Sequence, residues 1–416
     1  MSEKESREKH VIRFGPELFK FLSKFQEIEL EDVAIEAESL EIWIQPTAVI
    51  SSIPTLAPTP TPTAPKVTPI EAKPTSLLEV EYTLPVMEYP GKIMEVKLGA
   101  TRSEGGTRGK VVVVGGETTP AFYIFEKPMP HPPVISVDVF DTKIPLPKAV
   151  KMHIAEVMDD PAEWAKLNVE KFGADLVTVH LMSTDPLGEN KPAKEAVKTI
   201  EDVLQAVDVP VIVGGTGDPK KDAEVFMEVA EVASGERLLL SSVTLDMANA
   251  GILGDVARKA RENGHVLLAF TPLDMNLARE LNRKLYDYVS KEDIIMDPTT
   301  AALGYGIEYS FTILERIRHA ALMGDPELQH PVLIAPSNGW AAREAWAKLP
   351  PEWGPKTLRG PIWETITALT LLLAGADILL MIHPAAVKTV KEVISELMST
   401  GRADPEKIKD WVSFKI

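Results

Sequence analysis

The chain contains no cysteine among its 416 residues. Disulfides are therefore excluded, as is any iron–sulfur cluster or zinc site built on thiolates from this chain. It also lacks an apolar run near the roughly 18 residues a membrane helix needs, so no membrane span is expected. The opening MSEKESREKH is charged and holds no apolar stretch. No secretory signal is read there, and the cytoplasm is the expected location. Basic residues are scarce beside acidic ones: 44 Lys and Arg against 61 Asp and Glu leave a net charge of −17. Phosphate backbones need concentrated Lys and Arg, so nucleic acid is not an expected partner. Acidity on this scale favours solubility, and it suits a protein partner with a basic face.

Hydrophobic residues make up 45% of the chain, enough for a large core. Proline and threonine alternate through residues 53–76, IPTLAPTPTPTAPKVTPIEAKPTS. Such a composition favours an extended spacer and divides the chain. Residues 1–52 before it place Phe14, Leu18, Phe21, Leu22 and Phe25 at helical spacing, then an acidic stretch and a strand-like LEIWI. A module so small is hard to stabilise alone and is expected to dock onto something else. Residues 77–133 contain an expected β-hairpin, KIMEVKLGA and KVVVVGG, joined by TRSEGGTRG. Residues 401–416 are left as a tail.

Between residues 134 and 400 the pattern becomes regular. Short apolar runs begin with VISVDVF, DLVTVHL and PVIVGG, continue with RLLLSS, HVLLAF and DIIMD, and end with PVLIAP and ADILLMI. Helical stretches alternate with them. In one of these, Ile307, Phe311, Leu314, Ile317 and Ala321 form a single apolar stripe fit to cover a sheet. Continuous apolar strands alternating with amphipathic helices imply a parallel sheet covered by helices. Eight such units match an α/β fold of the (β/α)8 TIM-barrel type, with the hairpin as an N-terminal extension. An open doubly wound sheet is the alternative, but its nucleotide-binding version wants a Gly-rich fingerprint after the first strand, and none is there.

In a barrel, ligands bind where the strands end. The strand ends here carry Asp138 and Asp141; His180, Ser183, Thr184 and Asp185; then Thr216, Gly217 and Asp218. Ser241, Ser242, Thr244 and Asp246 come next, followed by Thr271, Asp274 and Asn276. The stretch MDPTTAALGYGIEYS supplies Asp297, Thr299, Thr300, Gly304, Tyr305 and Gly306. Ser337 and Asn338 follow strand seven, and His383 ends strand eight. Hydroxyls, amides, carboxylates and glycines dominate, and cations are few. A Schiff-base lysine and a clustered metal site are both missing from the pattern. The face suits a large, amide-rich ligand held by neutral hydrogen bonds, with Gly304 and Gly306 letting the backbone come close to it.

Three segments, DPTTAALGYGIEYSFTILERIRHAAL, WETITALTLLLAGADILLMIHPAAV and GGTGDPKKDAEVF, resemble the small subunit of the corrinoid/iron–sulfur protein. The Pro/Thr spacer and the acidic start resemble its archaeal version, the delta subunits of acetyl-CoA decarbonylase/synthase (ACDS) complexes. The resemblance covers about residues 80 to 400. It implies a (β/α)8 barrel paired with a larger gamma subunit, which carries an iron–sulfur cluster and a cobalamin-type corrinoid. The corrinoid lies at the interface, over the barrel's C-terminal face. The pair moves a methyl group between a tetrahydropterin and the nickel centre of acetyl-CoA synthase. No cluster is then expected in this chain, and other subunits of the complex, acetyl-CoA synthase among them, are expected partners. The fold also resembles pterin-binding methyltransferases, with Asp138, Asp218, Asp297 and Asn338 as possible pterin ligands. Direct binding of methyl-tetrahydropterin is thus one alternative, and a purely structural scaffold is another.

Overall fold

The computed structural model describes residues 87–123 and 129–399. The docking segment expected at 1–52, the spacer at 53–76 and the tail at 401–416 lie outside the described residues.

All eight apolar runs form strands, though mostly shorter than the runs. They are β3 (Val134–Phe140), β4 (Leu176–His180), β5 (Val211–Gly214), β6 (Leu239–Val243), β7 (Val266–Phe270), β8 (Ile294–Asp297), β9 (Leu333–Ile334) and β10 (Ile378–Met381). All pair in parallel, in the order β8-β7-β6-β5-β4-β3-β10-β9. The ends of that order meet. Met296 of β8 bridges Val332 in parallel, and its N–H donates to the Pro331 carbonyl at 2.9 Å. The sheet therefore closes into a barrel, and the open-sheet alternative is excluded.

Successive side chains of a strand point to opposite faces. One set (Val134, Leu176, Ile212, Leu239, Val266, Leu268, Ile295, Leu333, Ile378 and Leu380) packs together as the barrel interior. Their neighbours, such as Val139, Val177, Val213 and Leu267, face outward and pack under the helices. Both faces of each strand are buried, which is why the runs read as continuously apolar.

The outer layer contains α1 (Lys148–Ile154), α2 (Pro161–Glu170), α3 (Ala193–Ala206), α4 (Pro219–Val232), α5 (Leu245–Asn249) and α6 (Leu253–Glu262). It continues with α7 (Met275–Leu285), α8 (Ile307–Leu322), α9 (Arg343–Trp346), α10 (Lys356–Leu373) and α11 (Pro384–Met398). Several starts follow directly from local chemistry. Asp160, Asp218 and Asp274 each accept two backbone N–H groups at the first turn of α2, α4 and α7. Proline stands in the first turn of α2, α4 and α11, where its missing N–H costs nothing. The stripe expected on α8 holds: Leu314, Ile317 and Ala321 are buried, and Ile307 and Phe311 pack against the same cluster. The short helices α1, α5 and α9 are not visible as periodicity. Helix α10 starts at Lys356 and holds Pro361 inside it.

The hairpin is present as β1 (Val96–Leu98) and β2 (Val112–Val114), antiparallel, with Val96 opposite Val114. It is not a mere appendage. Val96, Leu98 and Val114 belong to the same apolar cluster as the barrel interior, so the hairpin stops the N-terminal mouth. Arg108 fastens it. Its side chain is buried, pairs with Glu236 at 2.8 Å and donates to the carbonyls of Val207 and Leu204, both at 2.6 Å. Among the described residues, no helix is long and apolar enough to cross a membrane.

Candidate functional site at the C-terminal mouth

With the floor plugged, the barrel opens at the carboxyl ends of its strands. The interior there turns polar. In β3 and β4 the inward positions run from Val134 and Leu176, through a buried Ser136–Thr178 hydrogen bond of 2.7 Å, to Asp138 and His180. His180 Nε2 lies 3.1 Å from Asp138 Oδ1. On β8 the same alternation leads from Ile295 to Asp297. Burial pushes the Asp297 carboxyl up to about 7, against the pull of the Thr299 N–H that donates to it at 2.8 Å.

The stretch after β8 is pinned by its own small polar groups. Thr299 takes a left-handed φ of 75°. That conformation is uncommon for a β-branched residue and persists only where its surroundings hold it. Here its hydroxyl donates to the Thr271 carbonyl at 2.8 Å, and its own carbonyl accepts from Ser310 Oγ at 3.0 Å. Thr300 is buried. Its hydroxyl accepts the Ala335 N–H at 2.8 Å, and its carbonyl accepts the Asn338 amide at 3.0 Å. Asp297, Thr299, Thr300 and Asn338 are thus joined into one network, with Ser337 next to Asn338 in the 3-10 turn Pro336–Ala341. Tyr305 is 58% exposed, and its hydroxyl reaches the Ala341 carbonyl at 3.3 Å. Gly304 and Gly306 both have left-handed φ, 84° and 88°. A Cβ on Gly304 would meet nothing closer than Trp363 Nε1 at 3.6 Å, whereas one on Gly306 would come within 2.7 Å of Tyr309.

Other expected residues make bonds within the scaffold. Thr216 and Gly217 donate their N–H groups to Asp222, at 2.7 and 2.8 Å, and Asp218 caps α4. Asp222, buried one turn into α4, holds this turn together; burial raises its pKa. Its signal in the sequence is a carboxylate set one turn behind Gly-Thr-Gly. Asn276 is turned onto the flank of α7, accepting from Arg279 at 2.8 Å, apart from the mouth network. Ser241 ends the regular part of β6, where the register shifts before Val243. His383 is buried, caps α11 through Nδ1, stacks on Trp340 at 5.7 Å and meets the edge of His153 at 4.9 Å. Burial first, and then His153, press its pKa down to about 4, so it is neutral.

Glu364 was not legible as a site residue. It sits in the apolar middle of α10, wholly buried, and accepts from Trp340 Nε1 at 2.7 Å, from the Ile382 N–H at 2.6 Å and from the His383 N–H at 3.2 Å. Burial raises its pKa to about 7. It ties the loops after β9 and β10 together. The only clue in the sequence is a lone carboxylate in the WETITALTLLL run.

Among the described residues, no three His, Asp or Glu side chains gather as a metal site. The donor set is hydroxyls, carboxamide, carboxylates, one imidazole and backbone, which fits a large neutral ligand bearing amides. Around it the rim is apolar: Leu187, Leu273, Tyr305 and Trp353 stand exposed between strands and the long helices that follow them, as do Tyr309 in the first turn of α8 and Trp346 at the end of α9.

Residues 95–349 match the family model of the CO dehydrogenase/acetyl-CoA synthase delta subunit. The chain belongs to this family. Subunit delta of the acetyl-CoA decarbonylase/synthase complex of Archaeoglobus fulgidus is 51% identical over 376 residues, spanning 87% of this chain and 81% of the relative. Subunit delta 1 of Methanosarcina thermophila is 50% identical over 80% of this chain and 76% of the relative. Among solved structures, a Yersinia pestis dihydropteroate synthase aligns at TM-score 0.44 and 16% identity, over 65% of this chain and 95% of that one. Membership in the delta-subunit family agrees with the resemblance read from the three sequence segments.

Proposed function

We propose that the C-terminal mouth of the barrel covers a corrinoid held by a larger partner subunit during methyl transfer in an acetyl-CoA decarbonylase/synthase complex. The observation that carries this reading is the pairing of a polar, hydrogen-bonding mouth with an exposed apolar rim. Large apolar side chains left in water around a concavity mark an interaction surface. The exposed tyrosines and tryptophans are of the type that dominates binding energy at interfaces. A corrinoid supplies the cobalt that takes up and passes on the methyl group. This chain's part is to accept and donate hydrogen bonds to the amide periphery through Tyr305, Ser337 and Asn338, and to exclude water. The expected partners are the gamma subunit with its corrinoid and iron–sulfur cluster, and the acetyl-CoA synthase of the same complex, in the cytoplasm.

Hydrogen–deuterium exchange tests this on the chain with and without its corrinoid-loaded partner. Protection should appear at residues 297–309 and 336–353. A loaded complex that leaves both segments unprotected overturns the reading.

A second reading has one observation in its favour. Asp297 holds its proton near neutrality at the mouth, where it suits a heterocycle such as a methyl-tetrahydropterin. Calorimetric titration of the chain alone with that pterin separates the two. Binding that is abolished by Asp297→Ala supports the pterin, and no heat supports the corrinoid cover.

A further inference from the structure

Three neighbouring strands assemble a group that the proposed cover leaves unused. His180 on β4 gives its Nε2 to Asp138 on β3, at 3.1 Å. The Asp138 side chain is only 4% exposed, whereas that of His180 is 23% exposed. A carboxylate can only accept, so Nε2 carries the shared proton and Nδ1 is the nitrogen left to accept. The ring is fixed in orientation by stacking on Phe140, 4.8 Å away and 16° from parallel. On β5 stands Gly214, where a Cβ would lie 2.6 Å from His180 Nδ1. Any larger residue there would press on the ring edge that carries Nδ1. No hydrogen bond to Nδ1 occurs among the described residues, and the atom keeps access to solvent.

We infer that His180 Nδ1 is the built acceptor for an N–H group of the ligand in the barrel mouth, with Asp138 as its positioning residue and Gly214 keeping a neighbouring side chain off the ring edge. The inference rests on the mouth being a ligand site, as proposed above. It adds the chemistry recognised there, an uncharged N–H donor. An amide arm of a corrinoid and a ring or amino N–H of a pterin both carry such a group.

Histidine-selective 15N labelling reads this directly, with His180→Gln assigning the signal. In the free chain His180 should show the Nε2–H tautomer with an unprotonated Nδ1. Asp138→Asn should return the ring towards a mixture of tautomers. Two additions then follow: methyl-tetrahydropterin alone, and the partner subunit loaded with corrinoid, compared with the partner stripped of it. A Nδ1 shift in the hydrogen-bonded direction with either ligand supports the inference and names the source. A Nδ1–H tautomer in the free chain overturns it. So does an unmoved Nδ1 while amides of residues 297–309 respond to the loaded partner, and in that case the cover itself stands. If neither the loop amides nor Nδ1 responds to either addition, the inference and the proposed cover fail together.

Discussion

At the level of single residues, the mouth is governed by buried carboxylates whose partners differ. Glu364 faces three N–H donors. Glu364→Gln keeps the shape but turns an NH2 group towards one of those donors. A buried donor left without an acceptor costs about 1–3 kcal/mol, so the variant should lose at least that in a urea melt. Asp297 behaves differently. Its pKa rises from 3.8 to about 7 on folding, so the folded state holds a proton that the unfolded chain releases. The stability this proton confers is complete below the unfolded pKa and is lost as pH rises through the folded one. Asp297→Asn should therefore flatten the fall in urea midpoint between about pH 4 and about pH 7. An unchanged slope would show that Asp297 is ionised throughout. At this scale the sequence was only partly legible. Asp138, His180 and Asp297 were visible as strand-end residues, because inward positions alternate with period two. Glu364 was not, because nothing in α10 marks one carboxylate as facing the loops after β9 and β10.

Among elements, the connection from β8 to α8 separates two glycines that look alike in ALGYGIEYS. Both need left-handed φ, and replacing either strains the backbone by roughly 1 kcal/mol. Only Gly306 also lacks room, since its Cβ would strike Tyr309. Gly304→Ala should lower the melting temperature modestly, and Gly306→Ala more. Under the proposed corrinoid cover, Gly304→Val should reduce the corrin-to-protein ratio of the complex, because a branched side chain packed beside Trp363 and Ala342 would push this loop outward. Equal melting losses for the two alanine variants would mean that the Tyr309 ring moves aside freely. Periodicity revealed α8 because its stripe is long. It could not reveal α1, α5 and α9, which span barely a turn or two and carry no repeat.

For the whole molecule, the floor of the barrel decides stability. The hairpin lies outside the eight repeated units, yet Val96, Leu98 and Val114 complete their interior. Beside it, Arg318 pairs with Asp377 and lies 3.9 Å from Glu117, all three buried. Burial raises the Asp377 pKa, Arg318 opposes this, and Glu117 adds to it. Arg318→Ala strands two carboxylates together and should cost about 3–5 kcal/mol, read from denaturant melts. A chain starting at residue 130 keeps every barrel strand but loses the plug and Arg108. It should show no cooperative melt, and a sharp transition near that of the full chain would show the plug to be dispensable.

Composition and pattern alone determined the architecture, because each strand is buried on both faces and each long helix on one, and those demands are written as period. The absence of cysteine likewise settled by itself that no thiolate site belongs to this chain. Which polar residues meet was decided only in three dimensions. Asp138, His180 and Gly214 are 42 and 34 residues apart in the chain; they touch because β3, β4 and β5 are neighbours in the sheet, with His180 opposite Gly214. Thr216 and Asp218 look like a ligand loop in the sequence, and in the fold they bond to Asp222 and cap the first turn of α4. A polar side chain's partner is chosen by whichever group closure of the barrel brings within about 3 Å, and that choice has no local signature.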